Sequence, residues 1–318
     1  MWPFSRYHRR NIPQTFKPVV LVTGCSNGIG LELARLLYNE HPEYRVVATA
    51  REKSIQKLHD QFLENDRFMI YPLDVTKEEE RKELINHVNK TWGGVDILVN
   101  NAGISYRSVI EHMTAKDELL QMETNYLGPM GLIRRVLPYM RETGRGKIIN
   151  VSSVAGMLAM PTMSSYSASK YALEGASESL WYEMRPFGVQ VSLIQPGFVN
   201  SNSFQNVYHS ELSDPAHNWD GPYCDFYQNM TPFVAKMMRM SRSSAYKIAK
   251  LIIKTIKTEN PSLWIPATLD ATVFYYIRRL LPRRILLPVL YWFLPNAKHW
   301  GKKHSNRRQS KISPPNQG

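Results

Sequence analysis

A hydrophobic strand that leads through a glycine-rich turn into an amphipathic helix constrains this 318-residue chain more than any other part of its sequence. Residues 17–23 read KPVVLVT, residues 24–30 read GCSNGIG, and apolar side chains then recur at helical spacing as far as Tyr38. Glycines let the backbone approach a ligand closely, and the first turn of a helix offers free N–H groups to an anion. The pattern predicts a dinucleotide-binding turn; a turn that only needs positive φ is the alternative. The candidate binding residues are Gly24, Ser26, Asn27, Gly28, Ile29 and Gly30.

The second predicted strand, residues 44–50, ends at Arg51. In a mononucleotide-binding unit an acidic residue at this point accepts from the 2′-hydroxyl of the adenosine ribose, whereas an arginine pairs with a 2′-phosphate. Neither Ala50 nor Arg51 supplies a carboxylate, so the sequence favours NADP(H) over NAD(H), with Ser26 as a second donor to the phosphate. The alternative is that Arg51 is a solvated charge at the start of the next helix.

Two further predicted strands, residues 67–73 and 95–99, end in small or polar residues. Asp74 and Val75 follow the first strand, where they can reach the adenine ring. The segment NNAG at 100–103 follows the second strand, and its small residues allow a cofactor to lie close to the backbone. The candidate contacts are Asp74, Val75, Asn101, Ala102 and Gly103.

A serine, a tyrosine and a lysine form a candidate group for carbonyl chemistry. Ser153 follows the β-branched run KIINV at 147–151, at the strand end where open α/β sheets bind ligands. Tyr166 and Lys170 are four residues apart, so in a helix over 164–187 they share a face. A cation next to a tyrosine favours the phenolate, and a serine hydroxyl stabilises charge on a substrate oxygen. Ser152 is left unassigned, because a turn or cap explains it equally well.

The order and spacing of several motifs resemble those of the short-chain dehydrogenase/reductase family over about residues 18–270. The resemblance is closest to the branch of 17β-hydroxysteroid dehydrogenase type 1 and the retinol dehydrogenases, because of TGCSNGIG and the strand end ATAR. The matching segments are TGCSNGIG at 23–30, ATAR at 48–51, DV at 74–75, NNAG at 100–103, Asn125, SS at 152–153, YSASK at 166–170 and PG at 196–197.

The resemblance implies roles for four residues. Tyr166 would be the general acid/base, Lys170 would lower its pKa and hold the nicotinamide ribose, and Ser153 would orient the substrate oxygen. Asn125 would keep a water molecule in a proton relay through Lys170. Ser201 stands where the family often carries a threonine. The further cofactor contacts that the resemblance implies are Pro196, Gly197, Val199 and Ser201.

Strand and helix signals alternate without a linker over residues 18–266, which predicts a Rossmann-type α/β fold. We expect one doubly wound parallel sheet of about seven strands with helices on both faces. The expected parts are a basic aromatic N-terminal extension at 1–17, an NADP-binding catalytic domain at 18–270 and a basic amphipathic C-terminal extension at 271–318. A methionine- and aromatic-rich segment at 200–240 is the expected substrate loop, with ordinary loop packing as the alternative.

The net charge of +13 resides in the two ends of the chain. Residues 1–17 hold four Lys/Arg and no acid, and residues 262–318 hold ten Lys/Arg and one Asp, which leaves the middle formally neutral. The C-terminal basic residues alternate with aromatic and apolar ones, which favours an anionic membrane surface over nucleic acid. The apolar run at 285–294 is too short for a span, which needs roughly twenty residues. Alternatively, this extension covers the substrate site or packs on a partner subunit; residues 1–10 are a second candidate anchor.

Two cysteines and the absence of CxxC or HExxH spacing predict neither a disulfide framework nor a metal site, and indicate a reducing compartment. We therefore expect a cytoplasmic protein that associates peripherally with membranes. The family resemblance implies a homodimer or homotetramer, with helices at about 115–141 and 164–187 at the interface.

The leading hypothesis is an NADP(H)-dependent oxidoreductase that interconverts an alcohol and its ketone or aldehyde on a bulky apolar substrate, such as a steroid, retinoid or lipid. One alternative is a 3-ketoacyl reductase acting on a carrier-bound chain, against which the neutral middle of the chain argues. The other is a non-catalytic NADP(H)-binding membrane scaffold.

Overall fold

The computed structural model describes residues 16–200, 207–214 and 221–301. Seven strands, all pairing in parallel, form one sheet in these residues. They are β1 (Val19–Val22), β2 (Arg45–Ala50), β3 (Phe68–Pro72), β4 (Ile97–Asn100), β5 (Gly146–Val151), β6 (Val189–Gln195) and β7 (Trp264–Pro266). The strand order is β3-β2-β1-β4-β5-β6-β7. From β1 the chain adds strands on one side as far as β3, and from β4 it adds them on the other side as far as β7. The topological switch point therefore lies between β1 and β4, and such sheets bind ligands in the crevice at this point.

Ten α-helices connect and cover the strands in the described part of the chain. A π-helical turn at Glu123–Leu127 joins the fourth helix to the fifth. The helices are α1 (Gly28–Glu40), α2 (Glu52–His59), α3 (Glu78–Trp92), α4 (Ala115–Met122), α5 (Gly128–Thr143), α6 (Ser164–Met184), α7 (Cys224–Met240), α8 (Ala245–Lys257), α9 (Leu269–Leu280) and α10 (Arg283–Phe293).

Helices pack on both faces of the sheet, so each strand is apolar on both sides. In β1, Val20 and Val22 belong to the apolar layer beneath α1 and α8. Their neighbours Val19 and Leu21 belong to the opposite layer, beneath α3, α5 and α6. This double burial explains why the strands read as continuous hydrophobic runs rather than as alternating patterns.

The predicted Rossmann-type sheet of seven parallel strands is confirmed. Strand bounds differ from the predicted ones by one or two residues at an end; the strand expected at 17–23, for example, spans Val19–Val22. The helix expected over 164–187 ends at Met184 and continues as a 3-10 turn, Arg185–Phe187. The expected boundary at residue 270 falls inside α9, so the C-terminal extension begins within a helix that packs beside β7.

Candidate active site

A cleft of about 760 Å³ opens at the carboxyl ends of β1 to β6. Most of the candidates predicted from the sequence line it, although they extend along the chain from Gly24 to Val199. Gly30 and Asn125 are not among the lining residues, and Ser201 lies outside the described residues. The candidates that line the cleft are Gly24, Ser26, Asn27, Gly28, Ile29, Arg51, Asp74, Val75, Asn101, Ala102, Gly103, Ser153, Tyr166, Lys170, Pro196, Gly197 and Val199.

The glycine-rich turn leaves the start of α1 open to an anion. Gly24 and Gly28 adopt φ values of 74° and 58°, which favour glycine. A Cβ on Gly30 would collide with the carbonyl of Gly24 and the amide of Asn101, so the third glycine allows close packing beneath the turn. No described side chain caps α1 and no acid stands in its first turn, which leaves its N–H groups for a pyrophosphate.

Asn101 and Thr23 hold this turn in place. The Asn101 side-chain amide donates to the carbonyls of Thr23 at 2.9 Å and Gly24 at 3.1 Å. The Thr23 hydroxyl in turn accepts from the backbone N–H groups of Asn101 and Ala102, both at 3.0 Å. The Asn101 side chain therefore links the ends of β1 and β4. Its amide nitrogen is used in these contacts, so a direct contact with a cofactor would involve other atoms of Asn101.

Three cations lie where the adenosine end of a dinucleotide would sit. Arg51 is exposed at the start of α2, and its Nη2 donates to the Tyr208 hydroxyl at 3.4 Å. Lys53 and Lys57 also line the cleft. Both lysines are absent from the candidates predicted above, although their i, i+4 spacing places them on one face of α2.

The Asp74 carboxylate, at the end of β3, accepts from the backbone N–H and the hydroxyl of Thr76, at 3.0 and 2.8 Å.

The catalytic candidates come together beside the end of β5. The Tyr166 and Ser153 side chains both line the cleft, and Ser153 Oγ accepts from the backbone N–H of Ala155 at 3.1 Å. Burial raises the pKa of Tyr166, while the Ser153 hydrogen bond and the charge of Arg107 lower it. Lys170 Nζ lies 5.9 Å from the centroid of the Tyr166 ring. It donates to the carbonyl of Val151 at 2.9 Å, and burial lowers its pKa to about 8.

A buried carboxylate lies one helical turn beyond Lys170. Glu174 Oε1 accepts from the Ser152 hydroxyl at 2.7 Å and from the Gln195 amide at 2.9 Å. Burial raises the pKa of Glu174, and these two hydrogen bonds, with the charges of Arg278 and Lys170, lower it. Ser152, which the sequence left unassigned, thus has a structural partner. The i+4 spacing from Lys170 was the available signal for Glu174.

Asn125 lies in the π-helical turn, behind the wall of the cleft. Its Oδ1 accepts from the backbone N–H of Ile104 at 2.9 Å, and its Nδ2 donates to the carbonyl of the same residue at 2.9 Å. Nδ2 also donates to the Ser169 hydroxyl at 3.0 Å. The side chain therefore ties the segment after NNAG to α6, and the expected water relay through Lys170 stays a prediction. π-Helical turns of this kind are frequent at functional sites.

The Pro196-Gly197 turn is held by the start of α9. The N–H of Gly197 donates to the Thr268 hydroxyl at 2.9 Å, and the N–H of Phe198 donates to the Asp270 carboxylate at 2.8 Å. A Cβ on Gly197 would overlap that carboxylate. The first turn of α9 is thereby part of the frame of the site.

The far side of the cleft is apolar. Leu158 belongs both to this wall and to a small cluster with Leu286 of α10, so the C-terminal helices border the site. Of the expected substrate loop, Tyr208 and Met238 line the cleft, while Phe204 and Trp219 lie outside the described residues. The described apolar residues of the wall are Leu120, Leu158, Met160, Met163, Val207, Val234 and Met238.

The described residues contain no group of three or more side chains able to hold a metal ion. Burial raises the pKa of the Cys25 thiol to about 12, so this cysteine is a packing residue of the glycine turn. Within the described ranges, every helix is too short or too polar to cross a membrane.

The cleft lies at the switch point of the sheet, and its glycine-rich turn leaves space that an added Cβ would fill. Ser153 and Tyr166 line the cleft beside Lys170. Together these features define an oxidoreductase of the alcohol/carbonyl type with a nicotinamide dinucleotide site. Residues 18–212 match the short chain dehydrogenase family model. The chain therefore belongs to the short-chain dehydrogenase/reductase family, and it is an enzyme.

Individual relatives agree with this assignment. A 3-ketodihydrosphingosine reductase of Bacteroides thetaiotaomicron is 34% identical over 244 residues, covering 76% of this chain and 85% of that protein. Retinol dehydrogenase 8 of Bos taurus is 30% identical over 250 residues, covering 77% and 79%, which confirms the resemblance to retinol dehydrogenases. The crystal structure of a short-chain dehydrogenase from Streptomyces avermitilis matches with a TM-score of 0.71 and 31% identity, over 87% of this chain and 97% of that one.

Proposed function

We propose that this enzyme interconverts an alcohol and its ketone or aldehyde on a lipid-like substrate, with NADP(H) as cofactor. The observation that carries the proposal is that Tyr166 and Ser153 line the same cleft, with Lys170 at one side of the tyrosine ring. A carbonyl oxygen placed between the two hydroxyls would receive two hydrogen bonds at the atom where negative charge develops.

In the reduction, Tyr166 gives its proton to the substrate oxygen and Ser153 donates a hydrogen bond to that oxygen. NADPH, when bound in the cleft, would supply the hydride that the carbonyl carbon needs, and with the proton from Tyr166 this would convert the carbonyl to an alcohol. The charge of Arg107 stabilises the phenolate that Tyr166 leaves behind. Lys170, held by the carbonyl of Val151, is placed to contact the nicotinamide ribose, as the family resemblance implies.

The apolar wall supports a lipid-like substrate. Its leucine, valine and methionine side chains offer an adaptable surface to a long hydrocarbon chain. The relative named for 3-ketodihydrosphingosine reduction favours a long-chain ketone within the classes of steroid, retinoid and lipid.

Turnover of a carbonyl panel by the purified enzyme tests the proposal. Long-chain ketones, retinal and a steroid ketone should be offered with NADPH and with NADH, in detergent, to the wild type and Tyr166→Phe. We expect turnover of one apolar class with NADPH and a loss of about 100- to 10,000-fold in Tyr166→Phe with NADPH binding retained. Tight NADPH binding without turnover of any carbonyl would instead support the scaffold alternative.

Preference for NADP(H) is supported by the charges at the adenosine end. Arg51, Lys53 and Lys57 surround the position that a 2′-phosphate would take, and no acid follows β2 directly. Ser26, which also lines the cleft, would add a hydroxyl donor. An arginine side chain suits a phosphate because of its planar set of donors.

We also propose that α9 and α10 lie on an anionic membrane surface, so that the enzyme is a peripheral membrane protein facing the cytoplasm. Trp292 and Phe293 are 61% and 67% exposed at the end of α10, and Arg283 and Arg284 are exposed at its start. Large exposed apolar side chains next to arginines are typical of helices in a membrane interface. The other large exposed apolar residues on these helices are Leu269, Val273, Tyr276, Leu280, Ile285, Leu287, Val289 and Tyr291.

A homodimer or homotetramer through α4, α5 and α6 is the proposed assembly. Leu119, Leu127 and Tyr182 leave 54%, 44% and 64% of their surface exposed on this side, which supports burial against a second copy. Light scattering of the detergent-free protein would measure the mass, and Tyr182→Lys should lower it if this surface pairs.

A further inference from the structure

Arg107 lies beside the catalytic tyrosine on a short extended segment that is fixed from both sides. Its backbone N–H donates to the carbonyl of Tyr208 at 2.9 Å. The N–H of the next residue, Ser108, donates to the carbonyl of Thr162 at 2.9 Å, immediately before α6. Arg107 is thus held between the substrate loop and the helix that carries Tyr166, and its side chain lines the cleft.

The charge of Arg107 has no counterpart within the described residues. Its Nε and Nη1 atoms are shielded from solvent and find no hydrogen-bond acceptor there. The group whose charge acts on it is Tyr166, and burial lowers its pKa to about 10, which leaves it cationic at neutral pH. Arg107 as a whole is half-buried, but its enclosed N–H groups are costly without acceptors, and in a side chain that faces a binding cleft they are explained when a ligand supplies the partner.

We propose that Arg107 binds a negatively charged oxygen group of the substrate, a carboxylate or a phosphate, close to the reacting carbonyl. This inference rests on the proposed carbonyl reduction. A guanidinium presents donors in a plane that matches either oxyanion. The apolar wall that includes Leu158 and Met238 then accommodates the hydrocarbon part, so the substrate is an acidic lipid ketone or the corresponding alcohol.

A purely electrostatic role for Arg107 predicts a different outcome. Through its charge on Tyr166, Arg107 would affect all substrates alike, whether they are charged or neutral. Recognition of an oxyanion affects only substrates that carry one, and it changes KM more than kcat because the contact exists before the transition state. A cationic amine next to the ketone would be repelled.

The test compares the wild type with Arg107→Gln, Arg107→Lys and the control Arg141→Gln, an exposed residue of α5. The substrates, used with NADPH, are long-chain ketones of equal length with a carboxylate one to four carbons from the ketone, and their methyl esters. A 1-phosphate 2-ketone and its 1-hydroxy counterpart form the phosphate arm, and 3-ketodihydrosphingosine is the amine probe. We expect the wild type to prefer either a carboxylate ketone over its methyl ester or the phosphate ketone over its hydroxy counterpart, by roughly 10- to 100-fold in kcat/KM.

In Arg107→Gln the preference for the oxyanion substrate over its neutral partner should disappear because its KM rises, while any loss of kcat through Tyr166 should be the same for both substrates. Arg107→Lys should retain part of the preference. Equal losses on charged and neutral substrates would overturn the proposal and leave Arg107 acting only through Tyr166. Efficient wild-type turnover of the amine probe would overturn it as well.

Calorimetric titration separates this inference from the proposed function. A saturated long-chain carboxylate and the alcohol of equal length are titrated into each variant with NADP⁺ present. Tighter binding of the carboxylate that is lost in Arg107→Gln supports the oxyanion site even if no ketone is reduced, in which case only the proposed function fails. Equal binding of acid and alcohol by the wild type overturns the site itself.

Discussion

Lys170 and Glu174 lie one turn apart on α6, both buried, and each charge favours the charged form of the other. The carboxylate raises the pKa of Lys170 against the larger effect of burial, which lowers it to about 8. The carboxylate is itself held by Ser152 and Gln195, so its position is fixed by β5 and β6. The protonation of Lys170 therefore depends on a residue that does not line the cleft.

As pH is raised, Glu174→Gln should begin to lose activity at a lower pH than the wild type does. Without the carboxylate charge the pKa of Lys170 drops further, so the lysine loses its proton at a pH where the wild type keeps it. At pH 8 we expect a roughly three- to tenfold loss of kcat/KM, with nearly full activity at pH 6. The pH profile of kcat/KM with NADPH measures this, and the exposed Glu178→Gln is the matched control. A profile that superimposes on the wild type would refute the dependence.

The stability difference between the wild type and Lys170→Met should depend on pH with a defined sign. The pKa of Lys170 is about 8 in the folded protein and 10.5 ordinarily, so between these values the unfolded chain binds a proton that the folded chain lacks. Stability of the wild type relative to Lys170→Met should therefore rise as pH increases from about 8 towards 10.5, by on the order of 3 kcal/mol in total. Urea unfolding at several pH values measures it, and a flat or falling difference would contradict the burial of a charged Lys170.

Arg51→Ala should weaken NADPH binding and leave NADH binding little changed. The lost charge-assisted contacts to the 2′-phosphate predict a rise in the dissociation constant for NADPH of roughly 10- to 100-fold. Fluorescence titration with each cofactor gives both constants. Arg141→Ala, at an exposed position in the last turn of α5, is the control. Equal weakening of NADPH and NADH would mean that Arg51 supports the fold of the cleft rather than the phosphate contact.

The sequence predicted what depends on local pattern. Strand, glycine turn and helix at the N-terminus gave the fold class, because continuous apolar strands and helical periodicity are both local signals. The same holds for Tyr166 and Lys170, whose spacing places them on one helix face.

Contacts between distant segments could not be predicted in this way. Arg107 follows NNAG in a segment without periodicity, and only folding brings it to Tyr166. The hydrogen bonds of Asn125 to Ile104 similarly depend on a π-helical turn that has no propensity signature. The expected end of the catalytic domain at 270 follows the extent of the family resemblance, whereas α9 runs through that point.

Asn125→Ala should destabilise the fold by about 1–3 kcal/mol, since the buried N–H of Ile104 loses its acceptor. Chemical denaturation of the cofactor-free protein measures the change. Asn86→Ala, an exposed asparagine within α3, should leave stability unchanged or slightly raised because alanine favours the helix. An Asn125→Ala protein as stable as the wild type would show that the amide contributes only to chemistry.

Replacing exposed aromatic residues of α10 should detach the enzyme from membranes. Trp292→Glu and Phe293→Glu each remove a side chain that would lie in the apolar boundary of the bilayer, so vesicle affinity should fall by about 10- to 100-fold per change. Co-sedimentation of the full chain with vesicles, with and without phosphatidylserine, measures the affinity, and added salt should weaken it because exposed charges are screened. The control Leu63→Glu alters a residue that is 76% exposed beyond α2 and should have no effect. If all three variants bind like the wild type, the exposed face of α10 must be covered by something other than lipid, and a lower mass of Trp292→Glu by light scattering would identify that cover as a second copy of the chain.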